Sequence, residues 1–185
     1  MLAMQWLDEI RSALDREFGG SSRVMVMATV DAAGAPHARC LVCRGIDDEG
    51  RVFAATDART EKNSQLRADR RAEAVFWLPK MRAQYRVQGE VKLVAYPEDE
   101  ALRKEVWRGM SSESRALLFW PTPGIARASD DAFAQAVSGD VPPPETFEVL
   151  VLQPRQVDRL SLDSVPHRRR IWRASNHWAG VDVNP

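Results

Sequence analysis

Residues 84–94 alternate with a period of two. Tyr85, Val87 and Val91 fall on one side of the chain, and Gln84, Arg86, Gln88 and Glu90 on the other. A segment with that period is a strand that buries one face only, which is how antiparallel sheets read. Shorter strand-like runs cover Val24–Val30, His37–Ile46, Val52–Thr56, Ala72–Leu78, Phe147–Gln153 and Val157–Leu160. Turn signals separate them. Asp31-Ala32-Ala33-Gly34 is one, and Asp47-Asp48-Glu49-Gly50 between two apolar runs is a hairpin signature.

Helical spacing is confined to the intervals between these runs. Met4, Leu7, Ile10, Leu14 and Phe18 define a helix over 4–18, stopped by Gly19-Gly20-Ser21-Ser22. Thr60–Asp69 reads as a second helix with Thr60 as its N-cap. Further helical pieces are predicted from Pro97 to Trp107, over Ser112–Leu118 and over Asp130–Val137. Pro79-Lys80 breaks a strand, Pro121-Thr122-Pro123-Gly124 is a rigid loop, and Gly139–Pro144 is a linker. Arg168–Ala174 with Trp178–Val183 forms a terminal hairpin. Strands joined by short turns predict a mainly β (α+β) chain, an antiparallel barrel with helices packed outside it. The expected organisation is one domain over 1–185, with an N-terminal helix in 1–19 and a C-terminal hairpin in 168–185.

At 185 residues the chain is long enough to bury a full core without staples. Lys plus Arg and Asp plus Glu are equal at 26 each, which argues against a nucleic-acid partner. Apolar runs such as Val24–Ala28 are too short to cross a bilayer, and no signal-peptide pattern opens the chain. These features predict a cytoplasmic protein with no membrane partner. The two cysteines, Cys40 and Cys43, would point to opposite faces of a strand, a poor geometry for a disulfide. With three histidines and no further cysteine a metal site is not expected, and both thiols read as small core hydrophobes. The six tryptophans read mostly as core or interface bodies.

The candidate functional residues are cations and amides. Arg39 and Arg44 bracket an apolar run. A regular strand would aim them at opposite faces, so they share one ligand only if the strand bulges or two subunits meet there. Otherwise they are strand-end side chains with their heads in water. Thr60-Glu61-Lys62 opens a helix, either as an ordinary surface cap or as an anion seat. Gln84, Arg86 and Gln88 share one strand face, which is solvated or reads the edge of an amide-rich ring. Pro166-His167-Arg168-Arg169-Arg170 is the densest cationic run, a solvated face or a cover over a phosphate. No nucleophile–base set, GxGxxG or P-loop is present.

In this order the residues resemble the pyridoxamine 5′-phosphate oxidase family of FMN-binding split barrels. The resemblance runs from about Val24 to Pro185. It rests on Arg39 to Arg44, Phe53 to Thr56, Lys62, Gln84 to Gly89, and the ending with His167, Arg169, Trp178 and Pro185. The stretch from Trp107 through Trp120-Pro121-Thr122-Pro123-Gly124 is similar to a bacterial subgroup of flavoproteins. The resemblance implies a split barrel, FMN as cofactor, and a homodimer with the cofactor cleft between its subunits. It implies Arg39, Arg44, Thr56, Lys62, Gln84 and Arg169 as cofactor contacts, with Ser114, Arg108 and His167 on the substrate side.

Three departures stand out. Glu61 replaces an arginine, no tyrosine accompanies Ser114 and Arg108, and Val165 replaces the arginine of an Arg-x-His pair. The implied activity is therefore FMN-dependent oxidation or reduction of a small molecule other than pyridoxamine phosphate, with the flavin and no protein nucleophile carrying the chemistry. The alternative is a non-catalytic split barrel that binds flavin or haem.

Overall fold

The computed structural model describes residues 4–185; residues 1–3, part of the expected segment 1–19, lie outside the described residues. Helix α1 (Gln5–Phe18) precedes β1 (Arg23–Val30), β2 (Pro36–Ile46) and β3 (Val52–Asp57). Helix α2 (Glu61–Ala68) leads to β4 (Arg71–Leu78) and β5 (Ala83–Val94). Helices α3 (Glu100–Arg108) and α4 (Ser112–Ala116) follow, then β6 (Phe147–Ser161), β7 (Arg168–Arg173) and β8 (Val181–Val183). The strands form one sheet in the order β3-β2-β1-β4-β5-β6-β7-β8, and β3 also pairs with β6. That additional ladder, from Val52 opposite Leu152 to Asp57 opposite Phe147, closes six strands into an antiparallel barrel. Strands β7 and β8 extend the sheet beyond β6. The expected barrel with peripheral helices is the fold observed.

Two apolar clusters follow from the alternation of the strands. Met25, Met27, Val52, Phe76, Val87 and Leu150 belong to the main core, and α1 adds Trp6, Leu7, Ile10 and Leu14 to it. The residues one step out of phase build the second cluster. Phe53, Val149 and Val151 face outward from β3 and β6 and pack on Val106, Trp107, Met110 and Leu118. Strands β3 and β6 are thus buried on both faces, which is why Phe147–Leu152 reads as a continuous apolar run broken only by Glu148. The turn between β2 and β3 meets α1 closely. Gly50 has φ +77°, and a Cβ there would fall 2.4 Å from the ring of Trp6.

Some local expectations change. The two runs divided at Pro154 are a single strand, β6. Its partner on one edge switches there, from β3, ending at Leu152, to β7, starting at Gln156, and the register against β5 shifts at Gln88/Gly89. A proline, which lacks an N–H, fits that irregular position without costing a regular rung. Asp130–Val137 is not a helix beyond a single 3₁₀ turn at Asp130–Ala132. Thr60 precedes α2, but its hydroxyl donates to the Asp57 carbonyl at 2.8 Å and makes no cap bond. Cys43 is buried as expected, whereas Cys40 is exposed because the even-numbered side of β2 faces away from the barrel core. Trp6, Trp107 and Trp172 are core residues, whereas Trp77 is about half exposed. Among the described residues no helix is long and apolar enough to cross a membrane.

The crossing of β5 over β6 tolerates no added side chain. A Cβ on Gly89 would sit 1.9 Å from the Gln153 carbonyl oxygen, a backbone atom that cannot swing away. Gly89→Ala is expected to lower the unfolding free energy by about 1–3 kcal/mol in urea titrations, the usual cost of overpacking. Gly20→Ala, with nothing within 4 Å of its Cβ, is the matched control and changes little.

Candidate functional site

Strand β2, the end of β3 and the start of α2 share a cleft with the segment after α4. One part is a cavity of about 410 Å³ with walls from Leu41, Val42, Met110, Leu118 and Trp120. Cys40, Arg44, Thr56, Lys62 and Ser114 also line it. A second cavity of about 500 Å³ adjoins it through Thr60, Lys62 and Pro123, and adds Arg39, Arg59 and Glu61. Arg39 opens on one cavity, Arg44 on the other, and Lys62 on both. The condition set by the sequence for Arg39 and Arg44 is partly met, because β2 bulges at Arg44. Cys43 pairs with Ala54 and Gly45 with Phe53, which leaves Arg44 as the extra residue.

The charges in this cleft are held differently from those elsewhere on the barrel. Arg39 donates to the Met27 carbonyl (3.2 Å), the His37 carbonyl (3.3 Å), Thr29 Oγ1 (2.6 Å) and Gln65 Oε1 (2.9 Å). Every one of these acceptors is neutral. Lys62 Nζ donates to Thr60 Oγ1 at 2.9 Å, and Arg44 has a buried Nε with no partner. None of the three forms an ion pair among the described residues, although Glu61 near Arg39 and Asp57 near Lys62 each oppose part of the effect of burial. Burial holds all three below their ordinary pKa values, and Arg39 depresses Lys62 further. By contrast, Arg59 is fastened to Asp57 at 2.6 Å, and Arg67 to Glu148.

Helix α2 organises this arrangement through two buried amides that the sequence reading missed. Gln65 Oε1 accepts from Thr29 Oγ1 (2.6 Å) as well as from Arg39. Asn63 accepts from Thr56 Oγ1 at 2.7 Å and donates to Glu148 Oε2 at 2.6 Å. Their only sequence signal was a helix with an unexpectedly polar inward face, Asn63 and Gln65 beside Leu66. The loop beyond α4 is pinned as well. Arg59 donates to the Trp120 carbonyl at 3.1 Å, and Trp120 Nε1 to the Ala134 carbonyl at 2.7 Å. The Trp-Pro-Thr-Pro-Gly run marked this loop in the sequence.

The remaining sequence candidates lie elsewhere in the chain. Gln84 on β5 pairs with Leu160 on β6, which pairs with Arg169 on β7, so the two form one row across three strands. Arg169 donates to buried Asp158 at 2.7 Å, and Arg86 grips the same carboxylate. Burial would push Asp158 up, but the hydrogen bonds from Arg169 and Arg86 outweigh it and hold the group below the usual aspartate range. His167 and Arg169 line a separate cavity of about 470 Å³ with Arg168, Arg170 and Asp182. Arg108, at the exposed end of α3, lines neither part of the cleft. One chain therefore gathers Arg39, Arg44, Thr56, Lys62 and Ser114, and displays Gln84, His167 and Arg169 on another surface.

Comparison with known proteins places the chain in a family. Residues 3–95 match the family model described as the pyridoxamine 5′-phosphate oxidase, FMN-binding domain. The chain belongs to this family. A pyridoxine/pyridoxamine 5′-phosphate oxidase of Azotobacter vinelandii is 39% identical over 161 residues, covering 87% of this chain and 62% of that protein. One from Pseudomonas paraeruginosa is 35% identical over 100 residues, 54% of this chain and 45% of that one. The chain thus aligns with about half to three-fifths of the length of these relatives.

A pyridoxamine 5′-phosphate oxidase-related, FMN binding protein from Nostoc punctiforme superposes with a TM-score of 0.89 at 29% identity, covering 97% of both chains. PhzG from Burkholderia lata, solved with tetrahydrophenazine-1-carboxylic acid, shares the fold at a TM-score of 0.77 and 20% identity, covering 98% of this chain and 89% of its own.

FMN is the cofactor of this domain, and the cleft fits it. It offers cations without carboxylate partners for a phosphate, a buried orphan donor on Arg44 for a polar edge, and apolar walls for a ring.

The two thiols on β2 differ in exposure, Cys40 being exposed and Cys43 buried. Burial pushes Cys43 up to about 11, which keeps it a protonated thiol at pH 8. Iodoacetamide at pH 8 is expected to label exposed Cys40 and spare Cys43, with both labelled in urea; mass spectrometry of tryptic peptides distinguishes them.

Proposed function

We propose that this chain is an FMN-dependent oxidoreductase that works in the cytoplasm as a homodimer. The observation that carries the reading is the convergence of Arg39, Arg44 and Lys62, three half-buried cations with no carboxylate partner among the described residues. Half-burying a charge without a counter-ion is costly, and an anionic ligand relieves that cost. Arg39 and Lys62, with Thr60 beside them, hold the phosphate. Arg44 and Thr56 would contact the ring, for which Leu41, Val42 and Leu118 would form the apolar wall. FMN bound there supplies the redox chemistry, exchanging a hydride with the substrate at its isoalloxazine ring.

Gln84 and Arg169 complete the cofactor contacts from the second subunit. Their row on β5 and β7 is remote from the cleft of their own chain, and two copies arranged around a two-fold axis make two whole sites from four halves. Ser114 faces the substrate, with His167 brought in by the partner, while Arg108 stands outside the cleft.

The substrate is a small molecule other than pyridoxamine phosphate. Of the arginines in the segment after β5, Arg103 and Arg115 donate to main-chain carbonyls of Phe147, Met110 and Val137, Arg108 is exposed, and Arg127 pairs with Asp130. That leaves the roof of the cleft with Ser114 and apolar groups, and no cation to hold a substrate phosphate.

A visible spectrum taken after gel filtration with FMN tests the cofactor assignment, and the elution volume tests the dimer. Bound flavin bands are expected, together with protection of Cys40 from alkylation. Arg39→Ala and Lys62→Ala are each expected to weaken FMN at least about tenfold, since a hydrogen bond to a charged group contributes about 1.5–3 kcal/mol. Affinity should fall as pH rises through the Lys62 range, which lies below that of an ordinary lysine, because phosphate favours the charged amine. A protein that stays colourless in excess FMN would overturn the assignment.

A further inference from the structure

We propose that Gln65 is a positioning residue that fixes Arg39 while leaving its charge available, and so sets the preference of the cleft for a phosphate-bearing over a phosphate-free flavin. The inference rests on the reading of Arg39 as a phosphate contact. Gln65 is buried, and its Oε1 accepts from Thr29 Oγ1 at 2.6 Å and from Arg39 at 2.9 Å. Arg39 in turn donates to Thr29 Oγ1 at 2.6 Å, so the three side chains close a triangle. The hydroxyl accepts from the guanidinium and donates to the amide oxygen, which leaves each group one consistent role.

A long side chain is usually immobilised by a carboxylate. The barrel does this for Arg59 with Asp57, and for Arg86 and Arg169 with Asp158. A carboxylate that orients an arginine also cancels its field. An amide oxygen gives similar hydrogen-bond geometry with no net charge. Gln65 stands three residues after Lys62 on α2, so the same helical face supplies one cation and seats the other. Burial lowers the Arg39 pKa, and Glu61, which forms no ion pair with Arg39, offsets only part of that effect.

The test exploits the near-identical shape of glutamine and glutamate. Gln65→Glu keeps both hydrogen bonds and the volume but places a negative charge against Arg39. Titration of the purified full chain by flavin fluorescence, with FMN and with riboflavin at two salt concentrations, reads the outcome. Gln65→Glu is expected to weaken FMN about tenfold or more, leave riboflavin unchanged and flatten the salt dependence, with no loss of thermal stability. Gln65→Met removes the acceptor without adding charge, and is expected to weaken FMN selectively because Arg39 loses its orientation.

FMN binding at wild-type strength by either variant, while Arg39→Ala loses it, would overturn the role of Gln65 alone. Wild-type FMN binding by both Arg39→Ala and Lys62→Ala would instead overturn the phosphate site, and this inference with it. An equal loss of FMN and riboflavin would show a general collapse of the pocket and also overturn it.

Discussion

The ladder between β3 and β6 is the constraint on which the rest of the structure depends. Without it the sheet is open, and β3 and β6 would each present an unpaired edge. With it, β6 pairs with β3 through its first half, with β7 through its second and with β5 throughout. Closure buries the inner face of the barrel, while Val106 and Trp107 of α3, with Met110 and Leu118 on either side of α4, cover the outer face of β3 and β6 at Phe53 and Val149. Covering that face also brings Met110, Ser114 and Leu118 over β2. The roof of the cleft is therefore a by-product of core packing, held with the rigidity of a core.

Charge management is the second theme. The chain carries as many acidic as basic residues, and most of its half-buried arginines are neutralised locally. Against that background three cations seated by hydroxyl, amide and carbonyl groups are conspicuous. Arg103 and Arg115 mark the other extreme. They are buried and donate to the carbonyls of Phe147, Pro144, Met110 and Val137, where they tie down chain ends. The same residue type thus serves as a strut, a paired charge or an anion seat, and only its acceptors distinguish the three.

This explains which parts of the molecule were legible in the sequence. Period-two alternation is a backbone property, so the strands from β1 to β5 were readable to within a residue or so. The hairpin at Asp47–Gly50 was equally plain, because its turn chemistry is local. Pro154 misled because the compensation for a missing N–H is a change of partner strand, which no local pattern records. Cys40 misled because a β2 side chain facing away from the barrel core looks the same in sequence as one facing in. The cationic residues of the cleft were visible as residues, but not their neutral seating. Gln65 and Asn63 read as polar helix positions, and their burial depends on contacts with Thr29, Arg39 and Glu148 distant in the chain.

The division of the candidate residues between two surfaces is itself a physical argument about assembly. Asp158 holds Arg169 and Arg86 together on the outer side of the barrel, so on that surface these two arginines are oriented by a shared carboxylate. In the cleft Arg39, Arg44 and Lys62 have no ion-pair partner among the described residues. A ligand with a strongly anionic end and a nearly neutral heterocyclic end matches this asymmetry. Under the proposed function its phosphate is assigned to Arg39 and Lys62, and its polar ring edge to Gln84 and the Asp158-bound Arg169. In the proposed homodimer two copies exchange these surfaces, since Gln84 and Arg169 line neither part of the cleft of their own chain.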